Sequence, residues 1–401
     1  MFKDIDTALS NLEERRNMVL GIDHLYEVLA GLNNPQNNLK MIHIGGTNGK
    51  GSTTNFVRSI LEKAGFKVGT FTSPHLISHH DRIRLNDIPI SDEDLLKYIN
   101  KTYPLWEKHS LSMFEIDMII SLLYFNDKKV DYVIYEVGLG GRLDATNVIK
   151  PLVSAITNVH FDHTNILGDT LELIAKEKAG IIKGHTPLLT TSTNQEVITV
   201  LKKECAKKSA PLKIVEEVKY TKNKKSFTLH KEEDITLVNQ GLYQKDNANL
   251  AINIIKELDL NMPFSIIKKG IENTHWQGRF EEVVENVYVD GAHNERGVQM
   301  LIESLDMLER PITLVFSALS DKDHHSMLLE LQKHVDKIIV TEFDFYRKEK
   351  ADVLARGINA TIIKDYQEAI DVGIKEKGTL LISGSLYFVS VVRKYLLEAY
   401  R

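Results

Sequence analysis

The stretch Met41-Ile42-His43-Ile44-Gly45-Gly46-Thr47-Asn48-Gly49-Lys50-Gly51-Ser52-Thr53 decides the fold of this chain. A short apolar strand, a glycine-rich turn and a helix follow one another, the order in which a backbone cradles a phosphate chain. The glycines let the main chain curl so that successive N–H groups point inward. The helix starting near Gly51 adds its positive end, Lys50 supplies a point charge, and a following hydroxyl can hold Mg²⁺. The strict pattern G-x-x-x-x-G-K-[ST] is missed twice. Ile44 stands where the first glycine is required, and Gly51 follows Lys50, with Ser52 one step late. This is a variant phosphate loop, and Asn48, Gly49, Lys50, Gly51 and Ser52 are its expected nucleotide-binding residues.

Outward from the loop, the chain alternates strands and helices. Residues 11–32 read as a helix, broken by Asn33-Asn34-Pro35-Gln36-Asn37-Asn38 before the first core strand. Helix 52–65 carries Phe56, Val57, Ile60, Leu61 and Ala64 on one face, and Lys67 to Thr72 is the next strand. Helical segments follow at 92–109 and 113–126. Two buried-looking strands come next, Asp131 to Val137 and Leu152 to Thr157, then a helix and strand within 170–192. Continuous apolar strands between amphipathic helices predict a parallel sheet covered on both faces. Segment 213–239 alternates like a hairpin (Phe227, Leu229, then Ile235, Leu237), and two helices lead to Trp276. From about residue 280 the alternation restarts: strand 283–290, helix 294–308, strand 312–318, helix 324–335, strand 337–342, helix 349–357, strand 360–364, helix 366–376, strand 379–383 and helix 386–400. The predicted fold class is α/β, a phosphate-loop ATPase domain over 1–278 and a smaller Rossmann-like α/β domain over 279–401.

Composition narrows the function. A chain of 401 residues allows two domains with full apolar cores, and a formal charge of −5 leaves no global basic surface for nucleic acid. No apolar run approaches a membrane span, and Met1 to Asn17 carries charges without a signal-peptide core. Cys205 is the single cysteine, which excludes an intramolecular disulfide and a cysteine-rich metal site. Its lysine-rich neighbours suggest a solvated helix and a structural thiol. The expectation is a soluble, cytoplasmic, monomeric protein acting on small molecules.

In open α/β sheets ligands gather at the carboxyl ends of strands, and the unusual residues lie there. Glu136 ends an apolar strand and leads into Gly138-Leu139-Gly140-Gly141-Arg142-Leu143-Asp144-Ala145-Thr146-Asn147. A carboxylate facing a phosphate loop suits Mg²⁺, which prefers hard oxygen donors. The next strand ends in Thr157-Asn158-Val159-His160-Phe161-Asp162-His163. Histidine is an unusual Mg²⁺ ligand, so from chemistry alone His163 either orients its neighbours or binds metal. Lys178, in the charged run Lys176-Glu177-Lys178, reads locally as part of a solvated face. Ser73, in Thr72-Ser73-Pro74-His75-Leu76, is a metal ligand or a turn residue. In the second domain Val289-Asp290-Gly291-Ala292-His293-Asn294 ends a strand and starts a helix. There Asp290 takes ribose hydroxyls and His293 meets a nucleotide, or Asp and Asn simply cap the helix.

Taken together these stretches resemble the folylpolyglutamate synthase/dihydrofolate synthase family, within the Mur ligase superfamily. The matching segments are Asn34-Pro35-Gln36, Gly46 to Ser52, Thr72 to Leu76, Phe114-Glu115, Glu136 to Asn147, Asp162-His163 with Leu167-Gly168, and Glu177 to Ile181. They continue with Gln244, Asn247-Ala248, Gly278-Arg279-Phe280, Asp290 to Asn294 and Ser383-Gly384-Ser385. They are collinear through nearly the whole chain. The resemblance implies Ser73, Glu136 and His163 as Mg²⁺ ligands, assisted by Ser52, with two Mg²⁺ sites. It implies Lys178 as a lysine carbamylated by CO₂ (N6-carboxylysine), which turns a cation into an anionic oxygen ligand. Lys50, His163 and Lys178 are then the catalytic residues. Asn247, Arg279, Asp290 and His293 match positions that bind ATP from the domain gap. Thr72, Ser73, Pro74, Phe114, Leu143, Asp144 and Ala145 match the pterin-substrate side.

Three departures stand out. Met118 replaces a common threonine, Gln277 replaces a frequent proline, and residues 79–81 alter what precedes the family's Arg-Ile core at Arg82-Ile83. Met118 and residues 79–81 are expected near the pterin pocket, where they bear on substrate preference. The implied reaction is ATP-dependent ligation of L-glutamate to a folate or dihydropteroate carboxylate through an acyl phosphate, with the second domain closing over the first. The rival readings are a muramyl-peptide ligase and a phosphate-loop switch that makes no bond. The Gly138–Asn147 stretch argues against both.

Overall fold

The computed structural model describes residues 1–16, 21–221, 225–229 and 233–400. The chain forms two compact units, each α/β. The first comprises Met1–Lys219, Phe227–Thr236 and Lys245–Thr274, and the second Tyr220–Ser226, Leu237–Gln244 and His275–Arg401.

In the first unit eight strands make one sheet: β1 (Met41–Gly45), β2 (Val68–Phe71), β3 (Ile83–Leu85), β4 (Ile88–Pro89), β5 (Tyr132–Glu136), β6 (Val153–Ile156), β7 (Leu188–Thr190) and β8 (Leu212–Ile214). Their order is β4-β3-β2-β5-β1-β6-β7-β8. The run from β2 to β8 is parallel, while β3 and β4 add an antiparallel edge. Every residue of β1 and β5 is buried, as expected for central strands covered on both faces. On one face Met41, Val133, Tyr135 and Phe71 pack against Tyr98, Trp106, Ile119 and Leu122 of the helices Asp92–Lys108 and α2 (Met113–Lys128). The alternate residues Ile42, Ile44 and Ile134 are fully buried as well. Helix α1 (Lys50–Lys63) begins directly after Gly49, whose φ of +85° closes the glycine turn. Helix α2 starts on a capping box in which Ser112 and Glu115 satisfy each other's backbone N–H groups.

The second unit holds a six-stranded sheet in the order 281–284, 287–289, 379–383, 312–316, 337–342, 361–365. Its first pair is antiparallel and the rest are parallel.

Two expectations need correction. The strand expected at 283–290 is a hairpin of Glu281–Val284 and Val287–Val289, turned at Asn286, whose φ is +58°. The helix expected over 11–32 is two helices, Ile5–Glu13 and Asp23–Gly31. Gly21, with φ +135°, lies between them, and residues 17–20 are outside the described residues. Segment 213–239 takes up the end of β8 and, among its described residues, the two-residue strands Ser226–Phe227 and Ile235–Thr236; residues 222–224 and 230–232 lie outside the described residues. Among the described residues no helix is long and apolar enough to cross a membrane.

Candidate active site

The carboxyl ends of β5, β1 and β6 lie side by side, with Ile44 in register with Glu136 and Gly45 with Ile156. From Gly45 the chain enters the phosphate loop, which the end of β6 clamps from one side. Thr47 N donates to Asn158 O (2.8 Å) and Asn48 N to the Asn158 side-chain oxygen (3.0 Å). Asn48 O accepts from Thr157 Oγ1 (2.6 Å) and Asn158 Nδ2 (3.1 Å), and His160 N donates to Thr47 Oγ1 (3.0 Å). Gly46 has φ +138°, and a Cβ there would lie 1.9 Å from Thr157 Oγ1. A Cβ on Gly49 would lie 2.2 Å from Asn247 Oδ1, so the buried Asn247 of α3 (Gln244–Glu257) sits directly against the loop. Thr47 N and Asn48 N are thus spent on Asn158, and the turn at Gly49 and the start of α1 form the part of the loop suited to an anion.

Lys50 Nζ folds back on the carbonyls of Gly46 and Thr47, 3.2 Å from each. Lys178 Nζ reaches the same Gly46 carbonyl at 2.9 Å from the helix Leu171–Ala179. Local composition made Lys178 a solvated residue, and the structure overturns that: it is 4% exposed. The last turn of its helix lies against the Gly138–Asn147 loop, backbone on backbone. A Cβ on Gly180 would fall 2.2 Å from Arg142 Cα, and one on Gly141 would fall 2.9 Å from the carbonyls of Glu177 and Lys178. Arg142 N donates to Glu177 O (2.8 Å), and Asn147 Nδ2 bridges the carbonyls of Arg142 (3.0 Å) and Gly180 (3.2 Å). Burial, reinforced by the charge on Lys50, pulls the Lys178 ammonium down to about 7, while Asp162 and Asp144 oppose that shift.

Glu136 is buried at the end of β5. His163 is partly exposed, with φ +50° at the start of a one-turn helix, and its Nε2 lies 3.8 Å from Asp162 Oδ1. Ser52 is buried in the first turn of α1. Among the described residues no three His, Cys, Asp or Glu gather around a common point. The implied metal set has only two such residues, completed by the Ser73 hydroxyl and a modified lysine. A buried carboxylate beside a phosphate loop fits a hard divalent cation, and a buried lysine able to lose its proton fits one once CO₂ has turned it into an oxygen donor.

Of the remaining residues expected on the substrate side, Leu143, Asp144 and Ala145 lie within the Gly138–Asn147 loop. Phe114 packs on it, since a Cβ on Gly138 would meet the Phe114 ring at 2.7 Å. Leu143 is half-buried and Ala145 buried. Asp144 is buried, and its carboxylate closes the loop by accepting from Leu139 N (2.9 Å), Thr146 N (3.0 Å) and Thr146 Oγ1 (2.5 Å). Ser73 and Pro74 are joined by a cis peptide, and Thr72 is tied to Asp81 and Arg82, with Thr72 N donating to Arg82 O at 2.9 Å. The two departing stretches meet: His79 Nε2 lies 2.7 Å from Asp117, the buried neighbour of Met118.

In the second unit Asp290 gathers its own surroundings. Its carboxylate accepts from Tyr243 Oη (2.6 Å), Phe280 N (2.8 Å) and Ala292 N (2.9 Å). Asn294 caps the following helix through Gly297 N (2.8 Å). Arg279 lies against Gly291, and His293 Nδ1 is 2.9 Å from Gly291 O. Asp290→Ala would strand a buried phenol and two backbone donors. The expected cost is about 3 kcal/mol in urea unfolding; an unchanged midpoint would remove Asp290 from this structural role.

Residues 44–255 match the Mur ligase middle domain, and residues 278–386 match the Mur ligase glutamate ligase domain. With the phosphate loop, these matches define the class as an ATP-dependent ligase. Over 407 residues the chain is 38% identical to the dihydrofolate synthase/folylpolyglutamate synthase of Bacillus subtilis, covering 94% of this chain and 95% of the relative. It is similar to E. coli FolC in complex with DHPP and ADP, with TM-score 0.89, 27% identity, and coverage of 100% and 99% of the two chains. It is similar also to the bifunctional folylpolyglutamate synthase/dihydrofolate synthase of Yersinia pestis complexed with AMPPNP and Mn ion, with TM-score 0.89, 27% identity and 98% coverage of each chain. The chain belongs to the folylpolyglutamate synthase/dihydrofolate synthase family.

Sequence reasoning did not assign Thr157, Asn158 and His160, which hold the phosphate loop. Nor did it assign His43 and Thr146. For His43, Thr157, Asn158 and His160 the one legible signal was polarity within or just after a buried strand; Thr146, in the turn Ala145–Val148, carried none.

Proposed function

We propose that this enzyme uses ATP and a divalent cation to add L-glutamate to the carboxylate of a folate or dihydropteroate. The observation that carries the reading is the meeting of Lys50 and the buried Lys178 on one carbonyl of a phosphate loop, beside the Gly138–Asn147 turn. A carboxylate is a poor acyl donor because oxide would have to leave. Phosphoryl transfer from ATP makes an acyl phosphate, from which phosphate leaves readily when the glutamate amine attacks. The chain's contribution is positioning and charge neutralisation. Asn48, Gly49, Gly51, Ser52 and Asn247 hold the nucleotide, Lys50 meets the β/γ-phosphates, and Arg279, Asp290 and His293 contribute from the second unit. Thr72, Ser73, Pro74, Phe114, Leu143, Asp144 and Ala145 hold the acceptor. Mg²⁺ at two sites, with Ser73, Glu136, His163 and a Lys178 carbamate as ligands, would offset the repulsion between γ-phosphate and acceptor carboxylate. We assign residues 1–278 to ATP binding and 279–401 to glutamate, and place the reaction in the cytoplasm.

One assay separates this reading from its rivals: ADP release with glutamate and a pterin acid, with a UDP-muramyl acceptor, or with no acceptor. Turnover only in the first case is expected. Turnover only with the muramyl acceptor, or equal turnover with none, would sink it. Running dihydropteroate and reduced folate in parallel assigns the acceptor.

A further inference from the structure

His43 is the polar exception on β1. It is fully buried between Ile42 and Ile44, two residues before the phosphate loop. Its Nε2 lies 2.8 Å from Thr146 Oγ1, which in turn lies 2.5 Å from Asp144 Oδ1. Thr146 is itself fully buried. A threonine hydroxyl carries a single proton, and Thr146 Oγ1 spends it on Asp144 Oδ1. Thr146 therefore donates to Asp144 and must accept from His43, which fixes the ring as the Nε2–H tautomer. His43 Nδ1 has no hydrogen-bond partner among the described residues, so nothing there calls for a proton on it. Burial, aided by the charge on Lys183, lowers the imidazole to about 3, so the ring is neutral. The chain of bonds is directed: His43 to Thr146, Thr146 to Asp144, with Asp144 receiving the loop's own N–H groups at Leu139 and Thr146.

We infer that His43 is a positioning residue for the acceptor: through the Thr146 hydroxyl it orients Asp144 and sets the Gly138–Asn147 loop in the shape that receives the pterin acid. This rests on the placement of the acceptor against Leu143–Ala145 proposed above. The link also ties that loop to β1, the strand from which the phosphate loop departs. A fully buried polar network is worth keeping only when every donor has an acceptor, and removing one member leaves its partner unpaired.

The test is a KM split. His43→Phe keeps the ring volume and removes the donor; the KM for the pterin acid should rise about tenfold, while those for ATP and glutamate stay as they are. Thr146→Val should do the same, and the double variant should be no worse than either single one. His43→Gln returns an N–H donor near the Nε2 position and should recover most of the loss. A rise in all three KM values together, or a His43→Gln variant no better than His43→Phe, would make His43 a packing residue and overturn the inference. The ¹⁵N-histidine spectrum of the wild-type enzyme tests the same chain without any substitution. It should show a neutral ring protonated at Nε2, and protonation at Nδ1 would overturn the inference. Leu143→Ala separates this idea from the one beneath it. An unchanged acceptor KM in Leu143→Ala removes the acceptor from the loop, and the inference with it. A raised KM there beside an unchanged one in His43→Phe overturns only the role of His43.

Discussion

Lys50→Ala is expected to abolish acyl-phosphate formation while leaving the first unit folded. The Lys50 ammonium makes its hydrogen bonds to the Gly46 and Thr47 carbonyls of its own loop, so no distant packing depends on it. In the proposed reaction it is the point charge that meets the β/γ-phosphates, and charge placed where charge develops contributes most to such catalysis. Its removal should slow phosphoryl transfer by about a thousandfold, on the order of 4 kcal/mol. The direct readout is transfer of ¹⁸O from the acceptor carboxylate into phosphate, which requires the acyl phosphate. Wild-type ¹⁸O transfer in the alanine variant would refute the assignment of the loop.

Lys178→Ala should be nearly inactive, by about a hundredfold or more, with partial rescue by formate or acetate filling the vacant ligand position. The chemistry follows from the lysine's burial. A neutral amine adds to CO₂, forming an N–C bond and releasing one proton, whereas an ammonium cannot. Burial and the neighbouring Lys50 charge lower Lys178 to about 7, so much of it is a free amine at neutral pH. The sign is therefore set: carbamate should increase as pH rises through about 7 and be lost below it. Carbon-13 NMR with labelled bicarbonate measures this. A wild-type enzyme that takes up no label at pH values above that point, or an alanine variant with full activity, would remove the carbamate from the mechanism.

The contrast between these two lysines shows what the sequence made legible. Lys50 was readable because its meaning is local: a strand, glycines that accept positive φ, and a helix start all lie within a few residues. The central strands were readable for the same reason, as unbroken apolar runs. Lys178 was not, since its neighbours Lys176 and Glu177 advertise a solvated face. Its burial comes from a loop more than thirty residues earlier, through the absence of a Cβ at Gly180. The clamp on the phosphate loop was hidden likewise, because Thr47 and His160 are 113 positions apart. The hairpin at 281–289 was missed because Asn286 adopts positive φ without a glycine to mark the turn. Family resemblance, resting on collinear motifs, is what implies the role proposed for Lys178.

The seam between Gly141 and Gly180 has a bearing on how this enzyme can change. With no side chain between them, the loop proposed for the acceptor and the turn carrying Lys178 touch main chain to main chain. Nothing there can absorb a displacement, because interiors packed at this closeness transmit strain instead of damping it. A remodelling of residues 138–147 to admit a bulkier acceptor would be felt at the lysine, and a shift of the lysine would reshape the acceptor's berth. Under the roles proposed for these two elements, selectivity and turnover are mechanically geared together in this unit. Attempts to broaden the acceptor range by substitution in the loop should meet falling rates unless residues 177–181 are allowed to vary in the same library.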